Sequence, residues 1–134
     1  MQDEFNDVQR SYGRCLQSNN FIARFYDILM DSHPSMRPMF ARTDLGRQRR
    51  ALRRGITSAI LYAGGSDLVS GTIREMAQVH SRAGRAPVKP ELYRYWMNSL
   101  VQAVNEADPQ ASPALEKRWR KALTPVIDTF VEHY

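Results

Sequence analysis

One cysteine, Cys15, stands in a chain of 134 residues, so no intramolecular disulfide can staple the fold. No apolar run approaches the roughly 18 to 20 residues that span a bilayer. The opening "MQDEFNDVQR" carries acidic side chains and no continuous apolar segment, so no signal or transit peptide is expected there. A reducing, cytoplasmic setting without membrane association is the expectation. Sustained period-two alternation is missing, which argues against strands. Internal repeats, low-complexity tracts and linker-like stretches are missing too, which argues for a single domain over residues 1–134, large enough to bury a core without staples.

What is present is basic charge and helical periodicity. Nineteen Lys+Arg against 14 Asp+Glu give a formal net charge of +5, which permits a nucleic-acid partner without demanding one. The run "RQRRALRRG" holds five arginines between Arg47 and Arg54. It shares its helix with an apolar stripe and lacks a recognition-helix pair or stacking aromatics, so it reads as a solvated face and no nucleic-acid partner is expected.

Apolar residues recur at three and four, and the chain is read as all-α. The first helix is expected from about Asp3 to Gln17, and the oxygens of "SNN" at 18–20 offer a cap for a second, about Phe21 to Ser32. Two prolines in "PSMRPMF" favour a short helical corner. Asp44 then opens a long helix to about Ala63, and "GGSD" starts another that reaches about Ser81. Pro90 suits the first turn of a helix to about Asn105, and Pro113 opens the last. The total is about six main helices and one corner.

Two of these helices carry a polar residue on an otherwise apolar stripe. His80 follows Val69, Ile73, Met76 and Ala77 on one face, and Gln48 interrupts Leu45, Leu52, Ile56, Ala59, Ile60 and Ala63. A buried imidazole must bond to something: a backbone or side-chain group, a catalytic neighbour, or a metal. Tyr26 lies on a stripe with Ile22, Leu29 and Met30, and its hydroxyl needs a partner if buried. Phe40 ends the proline corner. One histidine, one glutamine, one tyrosine and one phenylalanine at inward positions suggest a pocket for a ligand with an apolar body and a polar centre. His33, His133 and Cys15 read as structural or surface residues, and Trp96 and Trp119 as core.

At these residues the chain resembles the globins, specifically bacterial single-domain haemoglobins and the haem domains of flavohaemoglobins. The resemblance runs from "FYDILMDSHPSMRPMF" through "QRRALRRGI" and "VHSRAG" to "VKPELYRYW" and "RWRKALTPVIDTF". Tyr26 precedes Pro34 by eight residues, Pro34 precedes Phe40 by six, and Gln48 precedes His80 by thirty-two, separations that match the family's.

The resemblance implies a globin fold around haem b. His80 would be the axial ligand of the iron, Phe40 the ring on the porphyrin at the corner, and Tyr26 with Gln48 the distal polar pair. Leu52 and Ile56 would continue the distal wall, with Met76, Val88 and Tyr93 on the proximal side and Trp96 beside it. Arg82, Arg85 and Lys89, or Arg49 and Arg53, are the candidates for pairing with the propionates. The implied activity is reversible binding of dioxygen, nitric oxide or carbon monoxide, for oxygen storage or delivery or for nitric-oxide detoxification. No flavin or nicotinamide domain is expected after residue 134, so the enzymatic use would need a separate reductase. The alternative is a haem-free globin-like sensor or protein-interaction module. Either a monomer or a homodimer is compatible.

This chain departs from the family in two loops, shorter between Phe40 and Gln48 and longer between His80 and Val88. Where flavohaemoglobins carry a glutamate that bonds the proximal histidine, the matching position is Tyr134. A backbone carbonyl is therefore expected as the partner of the second nitrogen of His80.

Overall fold

A computed structural model describes residues 2–134. Seven α-helices, α1 Asn6–Gln17, α2 Phe21–Ser32, α3 Met36–Met39, α4 Leu45–Ala63, α5 Ser70–Val79, α6 Tyr93–Ala107 and α7 Pro113–Glu132, occur among the described residues, with no strand. Short 3₁₀ turns over Asp67–Val69 and Pro90–Leu92 lead into α5 and α6.

The starts follow local chemistry. Asp44 caps α4 by accepting the Arg47 N–H at 3.1 Å, and Ser112 caps α7 by accepting the Leu115 N–H at 3.1 Å, with Pro113 in the first turn. Two starts differ from expectation. Helix α1 begins at Asn6 and not near Asp3, because the Asp3 carboxylate accepts the Phe5 N–H at 2.9 Å while Phe5 takes a left-handed φ of 56°. That turn buries the Phe5 ring beneath the Arg118 guanidinium, 4.7 Å from its centroid. At α2, Asn20 makes no side-chain cap, and its Oδ1 instead accepts the Ser18 hydroxyl at 3.2 Å.

The main packing pairs are α2 on α6 and α4 on α7. Helix α1 lies across α6 and α7, and α5 lies against α4 and α7. Trp119, Phe25, Ile56, Ile60, Ile73, Leu100 and Leu123 are the largest fully buried apolar side chains of one continuous core. Helix α4 thus contributes its Leu52–Ile56–Ala59–Ile60 stripe to that core, although Leu45, in its first turn, stays exposed. None of the helices is long and apolar enough to cross a membrane, among the described residues.

Candidate functional site

Helix α5 stops at the histidine that the stripe pointed to. His80 is its C-cap, and its N–H still donates to the Met76 carbonyl at 3.1 Å. The loop that follows folds back on the helix end. The Ala86 N–H donates to the Val79 carbonyl at 3.0 Å and the Val88 N–H to the His80 carbonyl at 3.0 Å. Gly84 makes this possible. A Cβ there would stand 2.1 Å from the Gln78 oxygen and 2.3 Å from that of Val79, inside the packed backbone.

The folded-back loop brings the Ala86 carbonyl oxygen to 3.0 Å from His80 Nδ1. Burial, and then the Arg85 charge, hold the imidazole pKa below its ordinary value, and the Ala86 hydrogen bond only partly opposes them. The ring is thus neutral at neutral pH. Its Nδ1–H donates to Ala86, and Nε2 keeps its lone pair. The expected backbone partner is therefore found, and it is Ala86. Tyr134 is engaged by Arg82: its carbonyl accepts the Arg82 N–H at 2.9 Å, and the Arg82 guanidinium lies 4.9 Å from its ring centroid.

Around His80 stand Phe130 of α7, edge-on at 5.6 Å between centroids, and beyond it Tyr93 of α6, at 6.0 Å from Phe130. The Tyr93 hydroxyl is buried without a hydrogen-bond partner, and burial pushes its pKa up to about 12. Val88 packs against the core as a partly buried side chain. Met76, also partly buried, approaches α4: a Cβ on Gly55 would stand 3.0 Å from its Cε.

A second group forms where α2, α3 and α4 meet. The buried Tyr26 ring lies edge-on to Phe40 at 5.8 Å, and its hydroxyl donates to the Gln48 backbone carbonyl at 3.3 Å. Burial pushes its pKa up to about 12, so it remains a protonated donor. Leu52 and Ile56 continue from Gln48 into the core. Trp96 packs edge-on to Phe25, which is itself edge-on to Tyr26. The structure thus brings together Tyr26, Phe40 and Gln48 on one side, and His80 and Tyr93 on another.

Phe130 was not singled out from sequence. It falls on the α7 stripe with Trp119, Leu123 and Val126, and such a stripe announces burial without naming the neighbour. Gly84 had a weak signal, a glycine shortly after a helix end.

The donor set and the orphaned hydroxyl bear on what the pocket holds. Among the described residues no three His, Cys, Asp or Glu side chains stand close enough to hold a metal ion by themselves. A haem iron asks the protein for one strong axial donor, and a neutral imidazole oriented through its other nitrogen suits that role. A buried phenol hydroxyl without a partner also suits a site completed by a further group. The residues present therefore fit haem.

An all-helical fold with one such imidazole is the architecture of a globin. The chain belongs to the globin family. It is similar over 98% of its length, at 34% identity and a TM-score of 0.92, to a Pseudomonas aeruginosa PAO1 protein of known crystal structure that is structurally highly homologous to a human haemoglobin, and it covers 98% of that chain. It is also 26% identical over 110 residues, 81% of its length, to flavohaemoproteins of Bacillus cereus and Bacillus anthracis. It spans about a quarter of the length of those curated relatives. No family model matches the chain.

Proposed function

We propose that this globin holds haem b through Nε2 of His80 and reversibly binds a diatomic gas, for oxygen binding and storage or for nitric-oxide detoxification. The observation that carries the reading is the His80 tautomer, with Nδ1 engaged by the Ala86 carbonyl at 3.0 Å and Nε2 left as a donor. Haem, when bound, supplies an iron with one further coordination position for the gas.

The protein's own part is to orient and to donate. Ala86 fixes the plane and tautomer of His80. Tyr26 and Gln48 would provide O–H and N–H donors from α2 and α4, the Tyr26 hydroxyl turning from the Gln48 carbonyl to do so, each hydrogen bond to a bound gas being worth about 1 kcal/mol. About 1.4 kcal/mol is tenfold in affinity, so two donors favour retention of a polarised ligand over rapid release. Turnover of nitric oxide would draw electrons from a reductase.

Two experiments test this reading. Protein expressed with ample haem should show a Soret band, and His80→Ala should shift it or lose it; a spectrum unchanged in position and intensity would remove His80 as the ligand. Tyr26→Phe and Gln48→Leu should each raise the oxygen dissociation rate by roughly five- to tenfold. Unchanged rates in both variants would mean that these two side chains do not face the gas.

A further inference from the structure

Where α1 turns into α2, a cleft of about 220 Å³ opens against α4. Arg49, Arg50 and Arg53 line it on one side, and Leu16, Phe21 and Ile22 on the other. No acidic side chain is among its lining residues. Arg14, Arg24, Arg37, Arg118 and Arg120 each stand within ion-pair distance of a carboxylate, whereas none of the three cleft arginines does, among the described residues. Three guanidinium groups without an ion-pair contact around one concavity concentrate positive potential there.

The opposite wall is apolar. Phe21 and Ile22 are buried core side chains and Leu16 packs partly buried beside them. Two hydrogen bonds hold α4 at this place: the Tyr12 hydroxyl donates to the Arg53 carbonyl at 3.1 Å, and the Tyr26 hydroxyl to the Gln48 carbonyl at 3.3 Å. The walls are thus tied before any ligand arrives, which lowers the ordering cost of binding.

Guanidinium forks match phosphate oxygens in bidentate pairs, and three of them suit a dianion better than a single carboxylate. The volume lies below the roughly 300 to 1,000 Å³ of drug-sized sites, which limits the ligand to a head group with a short body. We propose that this cleft binds a small organic phosphate monoester. The phosphate pairs with Arg49, Arg50 and Arg53, and a short apolar body lies against Leu16, Phe21 and Ile22. Of the candidate haem-pocket residues, only Arg49 and Arg53, which were named for the propionates, stand in the walls of the cleft.

Calorimetric titration of the full chain with phenyl phosphate at low ionic strength tests it, with inorganic phosphate as the head group alone. Saturable one-to-one binding is expected, about tenfold tighter for phenyl phosphate than for inorganic phosphate, because the apolar wall contacts only the former. The double variant R49E/R53E should lose at least about tenfold in affinity. R47E/R54E makes the same change of net charge on the same helix outside the cleft, and should stay within about twofold of the unaltered protein. Absence of saturable binding, equal binding of inorganic phosphate, equal losses in the two double variants, or no loss in R49E/R53E each overturns the proposal.

Discussion

The Tyr93 hydroxyl is the most informative single group in the molecule, because it is buried at a helix start with nothing to bond. A hydroxyl in that position costs the fold about 1 to 3 kcal/mol of unreturned desolvation. Tyr93→Phe should therefore raise the stability of the haem-free protein by about 1 kcal/mol in urea denaturation. In the haem-loaded protein the gain should shrink or change sign, since the proposed cofactor completes the surroundings of that hydroxyl. A haem-free variant less stable than the parent would show that the hydroxyl already has a partner. At this scale the histidine was legible in sequence, since a polar residue on the Val69–Ile73–Met76–Ala77 stripe has to be explained. Its partner was legible only in kind. Every residue offers a carbonyl, so nothing in the letters of "SRAGRAPV" singles out Ala86.

At the scale of the element, the loop between α5 and the turn at Pro90 is the part of the site that the chain builds for itself. Its length was readable as a departure from the family's spacing. Its course was not, because the course depends on a steric absence at Gly84. Gly84→Ala would drive a methyl group into the Gln78 and Val79 carbonyls, 2.1 and 2.3 Å from the new carbon, and both are backbone atoms that move only with the helix end. The loop must lift, and the Ala86 carbonyl lifts with it. We expect a loss of about 1 to 3 kcal/mol in stability, together with faster transfer of haem to an apomyoglobin acceptor. A variant that loses stability but transfers haem at the parent's rate would place the His80 orientation elsewhere than in this loop.

Helix limits elsewhere were largely visible, because caps such as Asp44 and Ser112 act on backbone N–H groups only three residues away. Helix α7 shows where local signals mislead. Pro125 has no N–H to give to the carbonyl of Lys121, a loss worth about 3 kcal/mol in a helix interior, yet the helix runs through it to Glu132. The burial of Leu123, Val126 and Phe130 on either side outweighs the missing bond.

For the whole molecule, the joint between the first and last helices is polar and was hidden in the sequence, since its members lie up to 108 positions apart. Asp108, at the end of α6, accepts the Ser11 hydroxyl at 2.6 Å, Arg14 Nε at 2.7 Å and the Gln110 N–H at 2.9 Å. Ser11 in turn accepts the Trp119 indole N–H at 2.9 Å. Helix α1 and the end of α6 thus meet on one buried carboxylate, and α7 joins them through Ser11. Burial alone would raise the Asp108 pKa, but the Arg14 and Ser11 hydrogen bonds outweigh it and hold the group below its ordinary value.

The sign of the pH effect follows. With the folded pKa below the unfolded one, the contribution of Asp108 is fully present above the unfolded carboxylate value near 3.9 and is lost as pH falls through the folded one. Asp108→Asn keeps the shape but removes the charge that Arg14 needs, and should cost about 2 to 4 kcal/mol at neutral pH. The difference between parent and variant should narrow steadily as urea denaturation is repeated from pH 5 down towards about pH 3. Haem absorbance per folded molecule should not change, because none of the residues of the network lies in the candidate pocket. A stability gap independent of pH would mean that Asp108 acts through its shape and not its charge. A changed Soret band would mean that the joint between the helices and the pocket share one strained framework.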